Sequence, residues 1–199
     1  MRRHFLLLLA AIALYLTACS SLQTPLPLTD QPPQRPLSSI VFAGHARAAR
    51  FDAGNWLPVP EHDYDFIVLE RRFADRWEVV KEIHRRHPRY DGRAGSRDQT
   101  LYFTVRTSPA VDGGLDLAVE GSLGVGTGHM GPGGGLVIEL ATASRGWFVP
   151  FDRVRISQNR EEASGRLSET VELYSRREGE EKAFMKMAEE GFVYRQPAP

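Results

Sequence analysis

The central part of the chain alternates apolar and polar side chains with the period of two that is typical of β-strands. In 101–106, for example, Leu101, Phe103 and Val105 share one face. The same pattern predicts strands over 101–106, 115–125, 136–140, 147–156 and 167–174. Short connections separate most of these segments, which favours antiparallel neighbours. The sequence therefore predicts an antiparallel β-sheet meander of about five or six strands, arranged as a sandwich or a half-open barrel.

The start of the folded region is ambiguous. Residues 40–42 are apolar and predict the beginning of a strand, whereas 43–51 are compatible with a short turn of helix. The run 66–69 is wholly apolar and bounded by charges, which predicts a strand buried on both faces. Pro58 and Pro60 prevent regular strand pairing around them.

Residues 73–87 fit two patterns. A helical stripe stopped by Pro88 would contain Phe73, Trp77, Val80, His84 and His87. A strand would instead place Trp77, Val79, Lys81 and Ile83 on one face, and the valines favour it. We favour the helix, and the strand stays open as the alternative.

The end of the chain predicts a helix. Glu178, Glu180 and Glu181 would occupy its first turn, where carboxylates stabilise the positive end of the helix dipole. Phe184 and Met187 would form its apolar stripe, and Gly191 would end it in the left-handed conformation. Together with the meander, this predicts an α+β fold with a C-terminal α-helix against the sheet.

The glycine-rich stretch 121–135 contains a GxGxxG match at 126–131. A dinucleotide site needs a helix that opens at the last glycine, but Pro132 and three more glycines follow here. We therefore interpret the stretch as a flexible hairpin end with small residues on a crowded face. The alternative is a loop that becomes ordered on a partner.

No pattern of catalytic or metal-binding residues emerges. Glu120 replaces the first glycine of a GxSxG motif, and Asp63 and Asp65 alone do not define an acid–base pair. His84 and His87 would share a face only on a helix, and a metal would need a further ligand. We therefore predict no catalytic residues, no metal and no enzymatic activity.

Basic side chains are concentrated between Lys81 and Asp98. This segment contains six lysines and arginines and three acidic residues, which gives a local charge of +3. Residues 161–190 carry nine glutamates against five basic residues, or −4. Solvated faces, or faces that pair with each other, would explain both regions. The functional alternative is an anionic-surface site, whose candidate residues are Arg85, Arg86, Arg89, Arg93 and Arg97.

The N-terminus carries the most specific motif. A basic start is followed by the twelve-residue apolar run 5–16, which is too short to span a bilayer comfortably. Leu16, Thr17, Ala18 and Cys19 close it, and Cys19 is the only cysteine in the chain. This segment resembles the lipobox of bacterial lipoprotein precursors. The resemblance implies that signal peptidase II recognises Leu16, Thr17 and Ala18, and that Cys19 becomes lipidated.

The lipobox also implies a domain organisation and a location. Residues 1–18 would be the signal peptide, 19–39 the lipidated cysteine and a proline-rich tether, and 40–199 a single globular periplasmic domain. Ser20 follows the cysteine in place of aspartate, which in Gram-negative sorting implies the periplasmic face of the outer membrane. The covalent lipid would be the only added group, since no cofactor is predicted.

Composition narrows the class of partner. Removing Arg2 and Arg3 with the signal peptide leaves 23 basic residues against 25 acidic ones, a charge of −2 that argues against nucleic-acid binding. The predicted partners are the membrane, through the lipid, and an envelope protein or anionic lipid. We predict a non-enzymatic binding or envelope-assembly role. The alternative is a carrier of hydrophobic ligands, or an enzyme acting on lipid or cell-wall fragments, which would require a deep apolar cavity.

Overall fold

The computed structural model describes residues 35–91, 97–142, 151–161, 164–177 and 180–194, and these residues form β-strands joined by turns. The strands are β1 Ser38–Asp52, β2 Asn55–Pro58, β3 Tyr64–Arg72, β4 Arg76–Arg85, β5 Asp98–Pro109, β6 Leu115–Gly121, β7 Gly124–Met130, β8 Leu136–Ala141, β9 Arg153–Glu161, β10 Arg166–Arg177 and β11 Glu180–Val193. Two single turns of 3₁₀-helix, Pro60–His62 and Pro88–Tyr90, lie before β3 and after β4. The described part of the chain has no helix long and apolar enough to cross a membrane.

Ten of these strands form a closed antiparallel barrel. Each strand from β3 to β11 pairs with the next, and β1 closes the sheet by pairing with β3 on one side and β11 on the other. Following the paired residues around the barrel from Ser38 returns to β1 at Arg50, twelve residues further along. This stagger makes the strands tilt strongly against the barrel axis. The short strand β2 extends the end of β1 as a hairpin.

The predicted α+β fold, with five or six strands and a C-terminal helix, is wrong. Residues 180–193 form β11, which pairs with β10 along its length and with β1 over Met185–Val193. Both edges of β11 thus receive hydrogen bonds from neighbouring strands, and this tertiary pairing outweighs the helical propensity of its glutamates and lysines. Glu178 lies outside the described residues.

Four further local predictions are corrected. Residues 43–51 continue β1 instead of forming a helical turn, and 76–85 form β4, so the favoured helix over 73–87 is wrong and its strand alternative is confirmed. The long strand over 115–125 is two strands, β6 and β7, joined at Ser122 and Leu123. Ile67 in the run 66–69 is 50% exposed, so β3 is buried on its inner face only.

The barrel interior is filled by the inward-facing side chains of its strands. One apolar cluster includes Trp77, Val119, Leu140 and Val154 and draws on β4 to β10. A second lies against β1 and β3 and includes Phe42, Phe66, Val68, Ile83 and Leu101. Phe103, Leu123 and Met187 pack against both clusters, so the core is continuous. Burial of these side chains is the main favourable term in barrel stability.

The glycines of β7 allow a close approach of backbone that larger residues would prevent. A Cβ atom on Gly126 would collide with the Glu139 carbonyl oxygen, and one on Gly128 with that of Val137, both on the neighbouring strand β8. A Cβ atom on Gly121 or Gly124 would likewise meet a backbone carbonyl oxygen, so the prediction of small residues on a crowded face is confirmed from Gly121 to Gly128. The prediction of a flexible hairpin end is wrong for residues 124–130, which form β7 and pair with β6 and β8. The GxGxxG match runs along β7 into the following loop, without a helix after it.

Candidate functional site

A chain of hydrogen-bonded polar and charged side chains runs through the barrel interior. We call it the interior ion chain. It comprises Tyr64, Glu70, Arg72, Lys81, Gln158, Arg160, Glu169 and Glu189. These residues occupy inward positions of β3, β4, β9, β10 and β11, where an apolar side chain would be expected. Lys81, for example, lies on β4 between Trp77 of the first apolar cluster and Ile83 of the second.

Lys81 is the centre of the deeper half of this chain. Its Nζ donates to both carboxylate oxygens of Glu189 at 2.6 Å and to Oε1 of Glu169 at 3.0 Å. The Tyr64 hydroxyl donates to the same Glu189 carboxylate. Tyr64, Lys81 and Glu189 are each less than 9% exposed. Buried charges of this kind are tolerated only when they are paired and hydrogen-bonded, and these are.

Glu70 and Arg160 form the shallower half. The Glu70 carboxylate accepts from both terminal nitrogens of Arg160 and from Nε of Arg72, the last at 2.6 Å. Gln158 joins the two halves: its amide donates to Glu169 at 2.6 Å, and its carbonyl oxygen accepts from Arg160 Nε at 2.7 Å. Arg160 and Arg72 are 19% and 33% exposed, so this half reaches the barrel opening.

The pKa values of the buried groups follow from burial and pairing. Burial raises the pKa of Glu189 to about 7, although the positive charge of Lys81 acts in the opposite direction. Burial lowers the pKa of Lys81, but the charges of Glu169 and Glu189 outweigh it and leave that pKa raised. For Glu169 burial is likewise outweighed, here by Lys81, and its pKa is lowered. Glu169 and Glu189 share one ammonium group, and Glu189 is the carboxyl group of the two that keeps its proton to higher pH.

The ion chain connects strands that are not neighbours in the sheet. Lys81 on β4 binds Glu169 on β10 and Glu189 on β11, while Arg160 on β9 binds Glu70 on β3. Its deep members are closed off from solvent, so the arrangement is suited to fixing the strands in register. A reaction with an external substrate would require access to them.

A second feature lies on the outside of the barrel, where apolar side chains occupy consecutive outward positions across β11, β1, β3, β4 and β5. We call this surface the outer apolar band. It consists of Val41, Ala43, Ile67, Leu69, Val80, Tyr102, Phe192 and Tyr194. Tyr102, Phe192 and Tyr194 are each 60% exposed or slightly more. Side chains directly opposite on paired strands have Cβ atoms about 5 Å apart, so the band is contiguous.

Register places the members of the band side by side. Val41 pairs with Leu69, Leu69 with Val80, and Val80 with Tyr102, forming one row across four strands. A parallel row runs from Phe192 through Ala43 to Ile67. Contiguous exposed apolar surface of this kind typically marks an interaction site.

The surroundings of the band are polar. Outward positions on β9 and β10 hold Arg155, Ser157, Asn159, Ser168, Thr170 and Glu172. On the band's own strands, Glu82 lies beside Ile67, and the next row contains His45, Asp65 and His84. The contiguous apolar surface therefore lies on one side of the barrel and has a charged border, while Val125 on β7 and Val137 on β8 are exposed outside it.

Four of the predicted basic residues are described: Arg85 ends β4, Arg89 and Arg86 lie in and beside the turn that follows, and Arg97 precedes β5. The charges of the last three are paired with carboxylates. Arg86 donates to both oxygens of Asp65, which lowers the pKa of that carboxyl. Arg89 lies 4.0 Å from Glu61, and Arg97 2.5 Å from Asp91. Arg85 donates to Gln99 at 3.0 Å. An anionic surface would have to replace these partners, and binding by the arginines stays a prediction.

Several predicted residues fall outside the part that the structure describes. These are Leu16, Thr17, Ala18 and Cys19 of the lipobox, and Arg93 of the basic region. His84 and His87 do not share a helix face: His84 lies on β4 and contacts Asp98, while His87 precedes the turn Pro88–Tyr90 and accepts from Arg89. Among the described side chains, no group of three or more metal-ligating residues is placed to hold an ion.

Sequence reasoning missed the ion chain for an identifiable reason. Gln158 and Arg160 lie between the predicted strands 147–156 and 167–174, and the favoured interpretation places Lys81 and Glu189 on helices. The strand alternation that includes Lys81 between Val79 and Ile83 was the available signal. A charged residue at an inward strand position predicts a buried partner, but not which one.

One open depression lies near the start of β9 and is lined by Ala141, Asp152, Arg153, Arg176 and Glu181, with a volume of about 540 Å³. Four of its five lining residues are charged. Arg153 pairs there with Glu139 and Glu181. This depression is unlike the deep apolar cavity that a carrier of hydrophobic ligands needs.

Comparison of the sequence with models of protein families finds no match, and comparison with curated proteins finds none either.

Proposed function

We propose that the protein is an outer-membrane lipoprotein, held by lipid on Cys19 and facing the periplasm. Its barrel acts as a non-enzymatic binding module that presents the outer apolar band to another component of the envelope. The observation that carries this proposal is the band itself. Eight apolar or aromatic side chains lie together on the outer wall, and three of them, Tyr102, Phe192 and Tyr194, are at least 60% exposed.

Because the barrel interior is filled, we favour binding on the outer surface over a role as a carrier of hydrophobic ligands. Large side chains such as Trp77, Phe42 and Phe66 fill the interior, and the interior ion chain links its walls. A ligand-binding barrel of this size would need an open, mainly apolar interior. The alternative of a carrier or a lipid-active enzyme has no comparable observation in its favour.

The lipoprotein part of the proposal is tested by fractionation of cells that express the whole chain. The wild type should incorporate a labelled fatty acid and sediment with the outer membrane. Globomycin, which blocks signal peptidase II, should make the precursor accumulate. Cys19→Ser should abolish the labelling.

A matched variant separates lipidation from sorting. Ser20→Asp should keep the label but shift the protein towards the inner membrane. Labelling of Cys19→Ser at the wild-type level, or no precursor under globomycin, would contradict the proposal. If Ser20→Asp is labelled but leaves the fractionation unchanged, only the outer-membrane assignment is wrong.

A further inference from the structure

The outer apolar band includes Val41, near the start of β1, which is the first strand after Cys19 in the sequence. Leu37 is 76% exposed and directly precedes β1, and Val41 is the fourth residue of that strand. Tyr194, at the other end of the described chain, donates its backbone N–H to the Val41 carbonyl at 2.7 Å. The segment that would link Cys19 to the barrel therefore joins β1 at Ser38, three residues before Val41, the first residue of the band.

The linking segment limits the distance between the barrel and an anchored lipid. Residues 20–34 number fifteen, and a proline-rich segment reaches about 3.1 Å per residue, or roughly 50 Å in all. A surface held within that distance meets the band at a high effective concentration. A contact that would be negligible for a free protein then becomes populated.

The chemistry of the band suits the interfacial layer of a bilayer. Tyrosine combines an apolar ring with a hydroxyl group that remains hydrated, and aromatic residues are enriched at this depth. The strand residues of the band have both neighbours in the sheet, as Leu69 does between Val41 and Val80. Their backbone groups are therefore hydrogen-bonded already, and contact with lipid leaves none unpaired.

We propose that the outer apolar band rests on the headgroup layer of the bilayer that holds the Cys19 lipid, an inference that depends on the proposed lipidation. The barrel is then oriented on its membrane, with the band towards the lipid and the polar wall of β9 and β10 towards the periplasm. Glu82 and Asp65 mark the border at which the surface leaves the bilayer.

The test uses the mature lipidated protein in vesicles of phosphatidylethanolamine and phosphatidylglycerol. Cys19 is the only cysteine and its thiol carries the lipid, so an introduced cysteine is the single reactive thiol. Ile67→Cys places an environment-sensitive dye in the band. Ser157→Cys places the same dye at an outward position in the middle of β9, as the matched control.

Nitroxide-labelled lipid should quench the dye at position 67 at least threefold more strongly than at position 157. Adding Tyr102→Ser and Phe192→Ser to the Ile67→Cys protein should reduce that quenching, while circular dichroism stays that of the barrel. Equal quenching at the two positions overturns the proposal. The proposal is also overturned if the dye at position 67 becomes shielded from water as the protein density increases and not as lipid is added. A second copy of the protein would then cover the band.

Flotation of the same samples tests the lipid anchor separately from the orientation of the barrel on the membrane. Protein that floats with the vesicles but shows no preferential quenching at position 67 overturns the orientation and leaves the anchor intact. Protein that does not float, with an unmodified Cys19 by mass spectrometry, contradicts the proposed function itself.

Discussion

Lys81 and Glu189 form an ion pair inside the barrel, with Nζ 2.6 Å from both carboxylate oxygens. The two residues come from strands β4 and β11, which lie on opposite sides of β1 and β3 in the sheet order. Glu189 is 1% exposed, so the pair is closed off from water. An interaction so distant along the sequence couples the start of the barrel to its closing strand.

Replacing Lys81 should destabilise the barrel strongly. Lys81→Met removes the ammonium group and leaves Glu169 and Glu189 buried without their cation, which typically costs about 3–5 kcal/mol. Urea unfolding followed by near-ultraviolet circular dichroism measures the change. The control is Arg50→Met, which breaks the exposed pair with Asp52 and should cost less than about 1 kcal/mol. Equal losses in the two variants would show that the buried pair has no special role.

The pKa of Glu189 predicts a specific pH dependence. Its pKa is about 7 in the folded protein against an ordinary value of 4.5, so the folded state binds this proton more tightly. Its contribution to the free energy of unfolding is complete below pH 4.5 and falls as the pH rises to 7. The difference between wild type and Glu189→Gln should therefore fall by about 3 kcal/mol across that window.

The difference between the two proteins is the informative quantity, because other carboxylates act in the opposite direction. The pKa of Glu70 is lowered, since Arg160 and Arg72 outweigh its burial, and its contribution is lost as the pH falls below the ordinary range. A wild-type curve alone mixes the two effects. A difference that stays constant between pH 4.5 and 7 would contradict the assignment to Glu189.

Gly126 should tolerate no side chain. A methyl group there would meet the Glu139 carbonyl oxygen and lie 2.9 Å from Leu140 Cα, so β7 and β8 would have to separate. Gly126→Ala should lower the free energy of unfolding by about 2–3 kcal/mol. Gly133→Ala, in the loop before β8 with nothing within 4 Å of its new Cβ, should change it by less than about 0.5 kcal/mol. Thermal unfolding of the two variants compares them directly, and equal melting temperatures would refute the packing argument.

The basic residues at the end of β4 give a prediction about anionic lipid. Replacing Arg85, Arg86 and Arg89 together by serine should weaken dye quenching at position 67 on vesicles that contain phosphatidylglycerol, and have no effect on zwitterionic vesicles. The loss should be less than tenfold, because headgroups must displace acidic partners such as Asp65. Arg155→Ser on the opposite wall is the control. Unchanged quenching on anionic vesicles would remove these arginines from the candidate site.

Strand periodicity predicted part of this fold from sequence. The segments 101–106, 136–140 and 167–174 lie within β5, β8 and β10, where inward residues such as Val105 and Leu140 are apolar and their neighbours are polar. In such strands one face is buried and the other solvated, so the alternation survives in the sequence. Part of the predicted strand over 147–156 lies outside the described residues.

The closure of the barrel was not predictable in the same way. In β11 the inward positions include Glu189 and Gly191, so the apolar alternation is interrupted where the strand closes the sheet. The charge on Glu189 is compensated by Lys81, 108 residues away in the chain. Helical propensity then dominates the local pattern. The sequence therefore predicts a helix in place of β11, and the pairing of β1 with β11 that closes the barrel is not predicted.

The outer apolar band illustrates a similar limit. Val41, Leu69, Val80 and Tyr102 are separated by many residues in sequence and become one row only through the register of four strands. Each residue alone resembles an ordinary strand position. The sequence alone therefore does not predict the band, whereas it does indicate the lipobox, which is a contiguous motif.

Mass spectrometry of the mature N-terminal peptide tests the proposed anchoring most directly. The account predicts a polypeptide that begins at Cys19, with a mass increase equal to a diacylglyceryl group and an amide-linked acyl chain. A mature protein that begins at any other residue, or a Cys19 with a free thiol, would contradict the membrane attachment and the binding role proposed for the barrel.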